Sequence, residues 1–308
     1  MAKLICYSLQ DMTPVTPPAR VVLGLGNFDG VHTAHQELLR LVRTLGAQVS
    51  PDTACGVFCF SKPSADYLLP SPTPRLCTLE QKLEIFRDCG MEYAFVADFS
   101  TIMHLSPEEF VNEILLKECH CAGAVCGFNY RFGKKGQGSA ELLRELLPAP
   151  VLIQEAVYNG AEPVSSTRIR GLLLEGNVED AAKMLSRPYC FSSPVIHGKR
   201  LGRKLGTPTI NQAFPKGMLI PQKGVYVTDC EVDGRIYRAV SNVGVRPTVE
   251  QDASVNCESY LLDFSGDLYG KTVKVSFLKM IRGERTFAST EELTQQIHQD
   301  VVFAKTYQ

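Results

Sequence analysis

The chain has 308 residues, 44% of them hydrophobic and 21% charged, with a formal net charge of −1 at pH 7. This length favours two domains, because single hydrophobic cores rarely grow beyond about 250 residues. The near-neutral charge argues against a nucleic acid as partner, and the lack of a lysine-rich stretch argues against a membrane-surface role.

No stretch reaches the roughly 18 apolar residues of a membrane helix, and the apolar run at the N-terminus is too short for a signal peptide. We therefore expect a cytoplasmic protein. Its eleven cysteines then indicate reduced thiols instead of a disulfide framework. The densest group, Cys119, Cys121 and Cys126, lacks the paired CxxC spacing of a zinc site.

Short apolar runs alternate with amphipathic helices from residue 20 to about residue 160. This alternation predicts a parallel sheet covered by helices on both faces. Capping boxes at Thr78–Gln81 and Ser106–Glu109 mark two helix starts, the second with Pro107 at the first helical position. The predicted strands are Val21–Leu25, Cys55–Phe60, Tyr93–Ala97, Gly123–Cys126 and Val151–Gln154.

The pattern changes near residue 188, after two short helices at 165–174 and 178–185. Several short strands follow in succession, separated by turns, which is typical of an antiparallel barrel or sandwich. A capping box at Ser289–Glu292 begins a last helix. The predicted strands are Val225–Val232, Ile236–Val243, Glu258–Asp263 and Thr272–Phe277. We predict an α/β domain over residues 1–186 and a small antiparallel β-barrel domain over residues 187–308.

The segment from Gly24 to Leu39 permits three interpretations. A dinucleotide fingerprint needs a third glycine where Asp29 stands. A zinc protease helix needs histidines four residues apart, whereas His32 and His35 are three apart. A phosphate site fits better, because a strand, a glycine-bearing turn and a helix N-terminus present backbone N–H groups and a partial positive charge. A capped helix with two solvated histidines stays open from this segment alone.

Two further segments are suited to phosphate. Residues 165–170, SSTRIR, combine hydroxyls that can cap a helix with two guanidinium groups that can contact phosphate in a forked geometry. Gly198, Gly202 and Gly206 recur every four residues with four cations between them, and they predict a loop whose backbone approaches phosphates closely. Directly after this loop, Thr209 and Asn211 offer hard oxygen ligands of the kind that Mg²⁺ prefers.

These motifs together resemble the bacterial bifunctional FAD synthetases, which combine riboflavin kinase and FMN adenylyltransferase in one chain. The resemblance covers nearly the whole sequence. It includes GNFDGVHxxH, SSTRIR, Gly127–Gly133, RPY at 187–189, PTIN at 208–211 and DLYG at 267–270. It implies a nucleotidylyltransferase domain of Rossmann-like α/β fold, followed by a riboflavin kinase barrel with a C-terminal helix.

The resemblance also implies ATP as substrate, Mg²⁺ as cofactor, riboflavin and FMN as flavin substrates, and FMN and FAD as products. Glu258 matches the base that accepts the riboflavin 5′-hydroxyl proton, and Thr209 and Asn211 match the magnesium ligands. Arg282 is expected at the flavin. The expected phosphate ligands of the kinase are Gly198, Gly202, Arg203 and Gly206.

For the first domain we expect His32 and His35 to stabilise charge in the transition state, since the FMN phosphate is already an anion and needs no general base. The residues expected to bind ATP and its phosphates are Gly26, Asn27, Phe28, Asp29, Asn129, Ser165, Ser166, Thr167, Arg168 and Arg170. The residues expected at the flavin ring are Phe128, Tyr130 and Phe132.

The chain departs from the family pattern at three places. Ala34 stands where the family has the glycine of HxGH, residues 59–64 lack the histidine of its PHP segment, and Lys199 replaces an aspartate. Two other functions therefore stay open, a riboflavin kinase with an impaired first domain and a flavin-binding regulator without turnover. The sequence leaves the oligomeric state undetermined.

Overall fold

The computed structural model describes residues 4–8, 20–62, 65–68, 72–197, 208–245 and 255–307. The chain divides into two compact units, residues 1–166 and residues 167–308. Among the described residues, no helix is both long and apolar enough to cross a membrane.

A six-stranded parallel sheet forms the centre of the first unit, with strand order β1-β4-β3-β2-β5-β8. Its strands β2, β4 and β8 have the predicted bounds, and β3 and β5 include the predicted segments but extend beyond them by one and three residues. Two short hairpins accompany it, β6 with β7 and β9 with β10. The strands are β1 Ile5–Ser8, β2 Val21–Leu25, β3 Ala54–Phe60, β4 Tyr93–Ala97, β5 Cys121–Gly127, β6 Arg131–Phe132, β7 Gly138–Ser139, β8 Val151–Gln154, β9 Tyr158–Asn159 and β10 Glu162–Pro163.

Helices cover both faces of this sheet, as the alternation in the sequence predicts. Neighbouring residues of one strand enter different cores. Leu23 packs in one apolar cluster and Val22 in the other, because successive strand side chains point to opposite faces. The helices are α1 Thr33–Val49, α2 Ala65–Leu68, α3 Leu79–Asp88, α4 Phe99–Ile102, α5 Pro107–Glu109 and α6 Ala140–Leu146.

The helix predicted to start at Ser106 is present, but most of it has another geometry. Ser106 and Glu109 form the capping box, and Pro107 occupies the first turn. From Phe110 to Glu118 the chain continues as a π-helix, which ends with Cys119 N–H donating to the Ile114 carbonyl at 3.0 Å. A capping box specifies where a helix begins and carries no information about its later turns.

The second unit contains a six-stranded antiparallel sheet with order β11-β16-β13-β14-β15-β12. Gln212 nearly closes it into a barrel, since its buried Nε2 donates to the carbonyls of Ser193 on β11 and Val273 on β16 at 2.7 and 2.8 Å. The strands are β11 Tyr189–Pro194, β12 Ile210–Ala213, β13 Gly224–Val232, β14 Arg235–Val245, β15 Val255–Leu261 and β16 Thr272–Gly283. The predicted fold class is therefore confirmed for both parts of the chain.

In the described part of the chain, three helices accompany the barrel: α7 Ser166–Leu174, α8 Val178–Leu185 and α9 Thr290–Thr306. Helix α8 packs on β16 and β11. Lys279 of β16 forms an ion pair with Glu179 of α8, and Tyr307 donates to the same carboxylate at 3.4 Å. Helices α7 and α8 thus belong by their contacts to the second unit, except for Ser166, which belongs to the first. The functional boundary at residues 186/187 stays a prediction.

Candidate functional sites

The first candidate site begins where β2 ends and α1 starts. A Cβ added to Gly24 would lie 3.0 Å from the Leu38 side chain and 3.2 Å from that of Val42. Glycine at this position therefore lets helix α1 lie close against the strand. That approach brings the N-terminus of α1 to the carboxyl end of the parallel sheet, the edge where such sheets bind ligands.

The turn between β2 and α1 has an unusual backbone. Phe28 and Val31 are fully buried, yet both have left-handed φ values of 51° and 38°, and Gly30 has a φ of 79°. Such values strain a phenylalanine and, still more, a β-branched valine, so the surroundings must hold the turn in place. Strain of this kind is concentrated at ligand-binding sites.

Residues that precede α3 hold this turn. The Asp29 carboxylate accepts the backbone N–H of Leu76 at 2.9 Å, and the Gly30 N–H donates to Cys77 Sγ at 3.3 Å. Lys82, one turn into α3, donates from Nζ to the Asn27 carbonyl at 2.8 Å. None of these contacts follows a local pattern, so none of them could be predicted from the sequence.

The two histidines of the turn stack on each other. Their ring centroids are 3.7 Å apart with an interplanar angle of 12°. His32 is the N-cap of α1, and its Nδ1 accepts the backbone N–H of His35 at 3.4 Å. Because Nδ1 acts as an acceptor, a neutral His32 carries its proton on Nε2, where it can be donated to a ligand.

His35 is held in its neutral form. Burial, followed by the charges of His32 and Lys82, lowers its pKa well below the usual 6.5. The edge of the Phe28 ring packs against it at 5.2 Å, and Nδ1 is buried without a hydrogen-bond partner among the described residues. His35 can therefore act at neutral pH as a hydrogen-bond donor to an oxyanion without being a cation.

Two hydrogen bonds connect neighbouring residues to the place where the turn of residues 27–31 meets the N-terminus of α1, which we call the phosphate corner. Ser166 Oγ donates to the Asp29 carbonyl at 2.9 Å, and Gln154 donates to the carbonyl of Ala34 at 3.0 Å. Ser165 directly precedes Ser166 and is partly buried. Three other predicted residues, Thr167, Arg168 and Arg170, fall in the second compact unit on α7.

The aromatic residues predicted at the flavin differ in their burial. Phe128 is 54% exposed, and Asn129 beside it is also exposed. Phe132 is buried in the hydrophobic core, where it contacts Phe110 at 5.4 Å and stacks on Tyr130 at 5.8 Å. Phe128 and Asn129 are thus presented to solvent, whereas Phe132 packs inside the unit, and its predicted flavin contact stays untested.

The second candidate site is built on one row of the barrel sheet. Asn211 of β12 is paired with Glu258 of β15, and Glu258 is paired with Asn242 of β14. The row continues through Val225 of β13 to Arg282 of β16. Directly opposed residues share a face of the sheet, so this register gathers three predicted residues, Asn211, Glu258 and Arg282, and one that was missed, Asn242.

A cavity of about 390 Å³ lies over this row, between the sheet and helix α9. One wall is sheet and the other is helix, and both apolar and polar side chains line the cavity. Its lining residues are Thr209, Val225, Val240, Asn242, Glu258, Tyr260, Arg282, Glu284, Arg285, Phe287, Leu293, Ile297 and Asp300.

Asn211 is the residue best placed to hold a cation. Only 5% of it is exposed, and its Oδ1 is buried with no hydrogen-bond partner among the described residues. A buried amide oxygen without a partner is costly unless it binds something that the structure does not include. The described residues contain no cluster of three His, Cys, Asp or Glu side chains able to hold a metal, so a cation here would need oxygen ligands from Asn211, Thr209 and a substrate.

Arg282 is fixed from the helix side of the cavity. Asp300 of α9 is 2% exposed and accepts from Arg282 Nη2 at 2.9 Å and from Nε at 3.2 Å. Gln296 donates to the same carboxylate at 2.9 Å. The Arg282 guanidinium also lies 5.6 Å from the centroid of the Phe287 ring, and that of Arg285 lies 4.5 Å from it. Asp300 belongs to no motif and was not predicted from the sequence.

The predicted phosphate loop of the kinase, with Gly198, Gly202, Arg203 and Gly206, lies outside the described residues. The last described residue before it, His197, packs its ring on Tyr269 at 4.0 Å. On the other side of the loop, Thr209 lines the cavity. The phosphate site predicted for this loop stays a prediction.

These features define a two-part, nucleotide-dependent transferase. Family models agree: one described as FAD synthetase matches residues 16–168, and one described as riboflavin kinase matches residues 185–308. A Bacillus subtilis protein named bifunctional riboflavin kinase/FMN adenylyltransferase is 32% identical over 290 residues, covering 92% of this chain and 90% of that protein. The Escherichia coli K12 protein of the same name is 31% identical, with 94% of each chain covered.

The chain belongs to the family of bifunctional riboflavin kinase/FMN adenylyltransferases. A crystal structure described as a macrolide-efflux protein from Streptococcus pneumoniae is also similar, with 30% identity and a TM-score of 0.91. The match covers 99% of this chain and all of the other. The likeness therefore extends over both units.

Proposed function

We propose that this chain makes FMN from riboflavin and ATP in its second unit, and FAD from FMN and ATP in its first. The register that lines Glu258 up with Asn211 and Asn242 over one cavity carries the proposal for the kinase. The stacked His32–His35 pair at a helix N-terminus carries the proposal for the adenylyltransferase. Both reactions use small molecules, and we place them in the cytoplasm.

In the kinase step, Glu258 accepts the proton of the riboflavin 5′-hydroxyl while the hydroxyl oxygen attacks the γ-phosphorus of ATP. The bond from the γ-phosphorus to the oxygen that bridges to the β-phosphate breaks, and ADP leaves with its electron pair. The apolar walls of the cavity suit the flavin ring, with Val225 and Val240 on the sheet side and Leu293 and Ile297 on the helix side. With the ring in this slot, the ribityl chain reaches toward Glu258 and Thr209.

Thr209 and Asn211 fit Mg²⁺, because both offer neutral oxygens and the Asn211 Oδ1 is a buried acceptor without a partner in the described chain. When bound, the ion neutralises charge on the ATP phosphates. Asn211 and Asn242 flank Glu258 on the same face of the sheet.

In the adenylyl step, an oxygen of the FMN phosphate attacks the α-phosphorus of ATP and pyrophosphate leaves. His32 donates from Nε2, and neutral His35 donates from one ring nitrogen. The N-terminus of α1 adds a partial positive charge. All three act on charge that increases in the transition state, which is where stabilisation accelerates a reaction.

Incubation of the purified chain with riboflavin and Mg-ATP tests both activities at once. Separation of the flavins by chromatography should show FMN appearing first and FAD accumulating from it. FMN without FAD would contradict the adenylyltransferase proposal alone, and no product from riboflavin would contradict the kinase proposal.

A kinase with an inactive first unit is the second candidate, because Ala34 stands in the first turn of α1, between the two histidines. The variant Ala34→Gly provides the comparison. Similar FAD formation by both proteins would show that the methyl group is tolerated. FAD formation by the glycine variant alone would favour the second candidate for the natural chain.

A further inference from the structure

Lys82 is a buried cation with no carboxylate partner in the described part of the chain. Only 8% of it is exposed, and its Nζ donates to the Asn27 carbonyl at 2.8 Å. It forms no ion pair with any residue that the structure describes. Lysine is almost never this buried unless its charge is paired, because an unpaired buried charge costs several kcal/mol by general estimates. Since none of the described residues supplies the counter-charge, a bound anion is a candidate for it.

The ammonium lies at the corner that holds the two histidines. Asn27, whose carbonyl it binds, opens the strained turn of residues 27–31, and the positive charge of Lys82 is one of the influences that lower the pKa of His35. Contacts from Leu76 and Cys77 to Asp29 and Gly30 fix the start of α3 against this turn. Lys82 therefore has a defined place beside the phosphate corner.

The corner contains several dipoles. The helix N-terminus and a neutral His35 offer partial charges, whereas the ammonium offers a full charge in surroundings that exclude water. A full charge at such a place attracts an anion more strongly than it would in water. The anion of the proposed reaction with the highest charge is the polyphosphate end of ATP, which departs as pyrophosphate.

We propose that Lys82 binds the polyphosphate of ATP and stabilises the departing pyrophosphate during FAD synthesis. In this step a bond forms between an FMN phosphate oxygen and the α-phosphorus. The bond from the α-phosphorus to the oxygen that bridges to the β-phosphate breaks, and pyrophosphate retains its electron pair. The proposal rests on the adenylyltransferase function of the first unit.

The reverse reaction tests it with a defined probe, inorganic pyrophosphate. FAD and pyrophosphate are converted to FMN and ATP, and the second unit has no part in this step. Lys82→Gln keeps a hydrogen-bond donor for the Asn27 carbonyl but removes the charge, whereas Lys82→Arg keeps both. We expect Lys82→Gln to raise the KM for pyrophosphate and to lower kcat/KM about a hundredfold, with most of the loss restored in Lys82→Arg.

Kinase activity of each variant is the internal control, and amide protection of β2 and α1 reports whether the first unit is folded. An unchanged KM for pyrophosphate in folded Lys82→Gln would overturn the inference, as would equal losses in the Gln and Arg variants. If Lys82→Gln does not fold, the ¹³Cε resonance of Lys82 in the natural chain decides. A shift on adding pyrophosphate supports the inference and no shift overturns it. Absence of FAD synthesis in the natural chain would instead reject the proposed function.

Discussion

Asn211 and Glu258 face each other across β12 and β15, and they share the face of the barrel that lies under the cavity. A carboxylate at the centre of this row, with the carboxamide of Asn242 on its other side, is placed to accept a proton from a bound hydroxyl. The two flanking carboxamides carry no charge, so Glu258 is the one acidic residue in this row of described residues.

Glu258→Gln should abolish most of the kinase activity. The variant keeps the shape of the side chain but cannot accept the hydroxyl proton, and loss of a general base costs about 10² to 10⁴ in rate. The measurement is the rate of FMN formation from riboflavin. The same protein supplied with FMN should form FAD at the natural rate, and an unchanged rate of FMN formation would reject Glu258 as the base.

Asn211→Ala should weaken the response of the kinase to magnesium. Its Oδ1 is buried and has no partner among the described residues, so its removal deletes a cation ligand without breaking a hydrogen bond recorded there. We expect the half-saturating Mg²⁺ concentration to rise about tenfold or more, as for other lost ligand-shell groups. Asn242→Ala, at the other side of Glu258, is the matched control and should leave that concentration unchanged.

Asp300→Asn should loosen the helix wall of the cavity. The buried carboxylate accepts from Arg282 and Gln296, and breaking a buried ion pair costs about 3 kcal/mol. The riboflavin KM should therefore rise more than kcat falls, and the melting temperature should drop. Lys183→Ala removes an ion pair whose lysine side chain is 69% exposed and should change neither quantity. A fall in kcat alone would contradict this role for Asp300.

Most of the first unit could be predicted from local patterns. Strands β2 to β5 are continuous apolar runs, and the capping residues Thr78 and Ser106 lie at the predicted helix starts. Strand β1 was missed because it is a short edge strand whose side chains are largely exposed, so it has no buried apolar run. A π-helix after Ser106 was equally unpredictable, since its side-chain pattern resembles that of an α-helix.

The sites could be predicted only in part. Thr209, Glu258 and Arg282 belong to short motifs, and the structure places all three at one cavity. Asp300 and Lys82 belong to no motif. From the sequence alone, each is expected to be a charged residue on the solvent-exposed face of a helix. Their burial results from strands and turns distant in sequence, Arg282 for the first and Asn27 for the second.

His35 should make the stability of the first unit depend on pH. Its pKa in the folded protein is lowered by burial, by His32 on the same helix and by Lys82 on α3. The unfolded chain therefore binds more protons than the folded chain below about pH 6.5, and stability falls as the pH falls through this range, by at most about 1.4 kcal/mol per pH unit. Melting temperatures at pH 7.5 and pH 5 measure this effect.

In His35→Asn, which has no titrating ring at that position, the loss on acidification should be smaller. Between pH 7.5 and pH 5, the melting temperature of the variant should therefore fall by less than that of the natural chain. Parallel acid sensitivity in the two proteins would show that His35 is not the group responsible.

A kinase fragment cut from the chain should fold and be active only when it keeps helices α7 and α8. Val178, Ala181, Met184 and Leu185 are buried on α8, and that helix packs on β16 and β11. A fragment of residues 167–308 should phosphorylate riboflavin at the natural rate and unfold cooperatively. A fragment of residues 187–308 exposes the apolar surface that α8 covers. Burial of each apolar side chain contributes about 1.5 to 3 kcal/mol. The loss of several such contributions is comparable to the whole free energy of unfolding of a small domain. Urea unfolding and FMN formation measure the difference, and equal stability of the two fragments would place the folding boundary at residue 187.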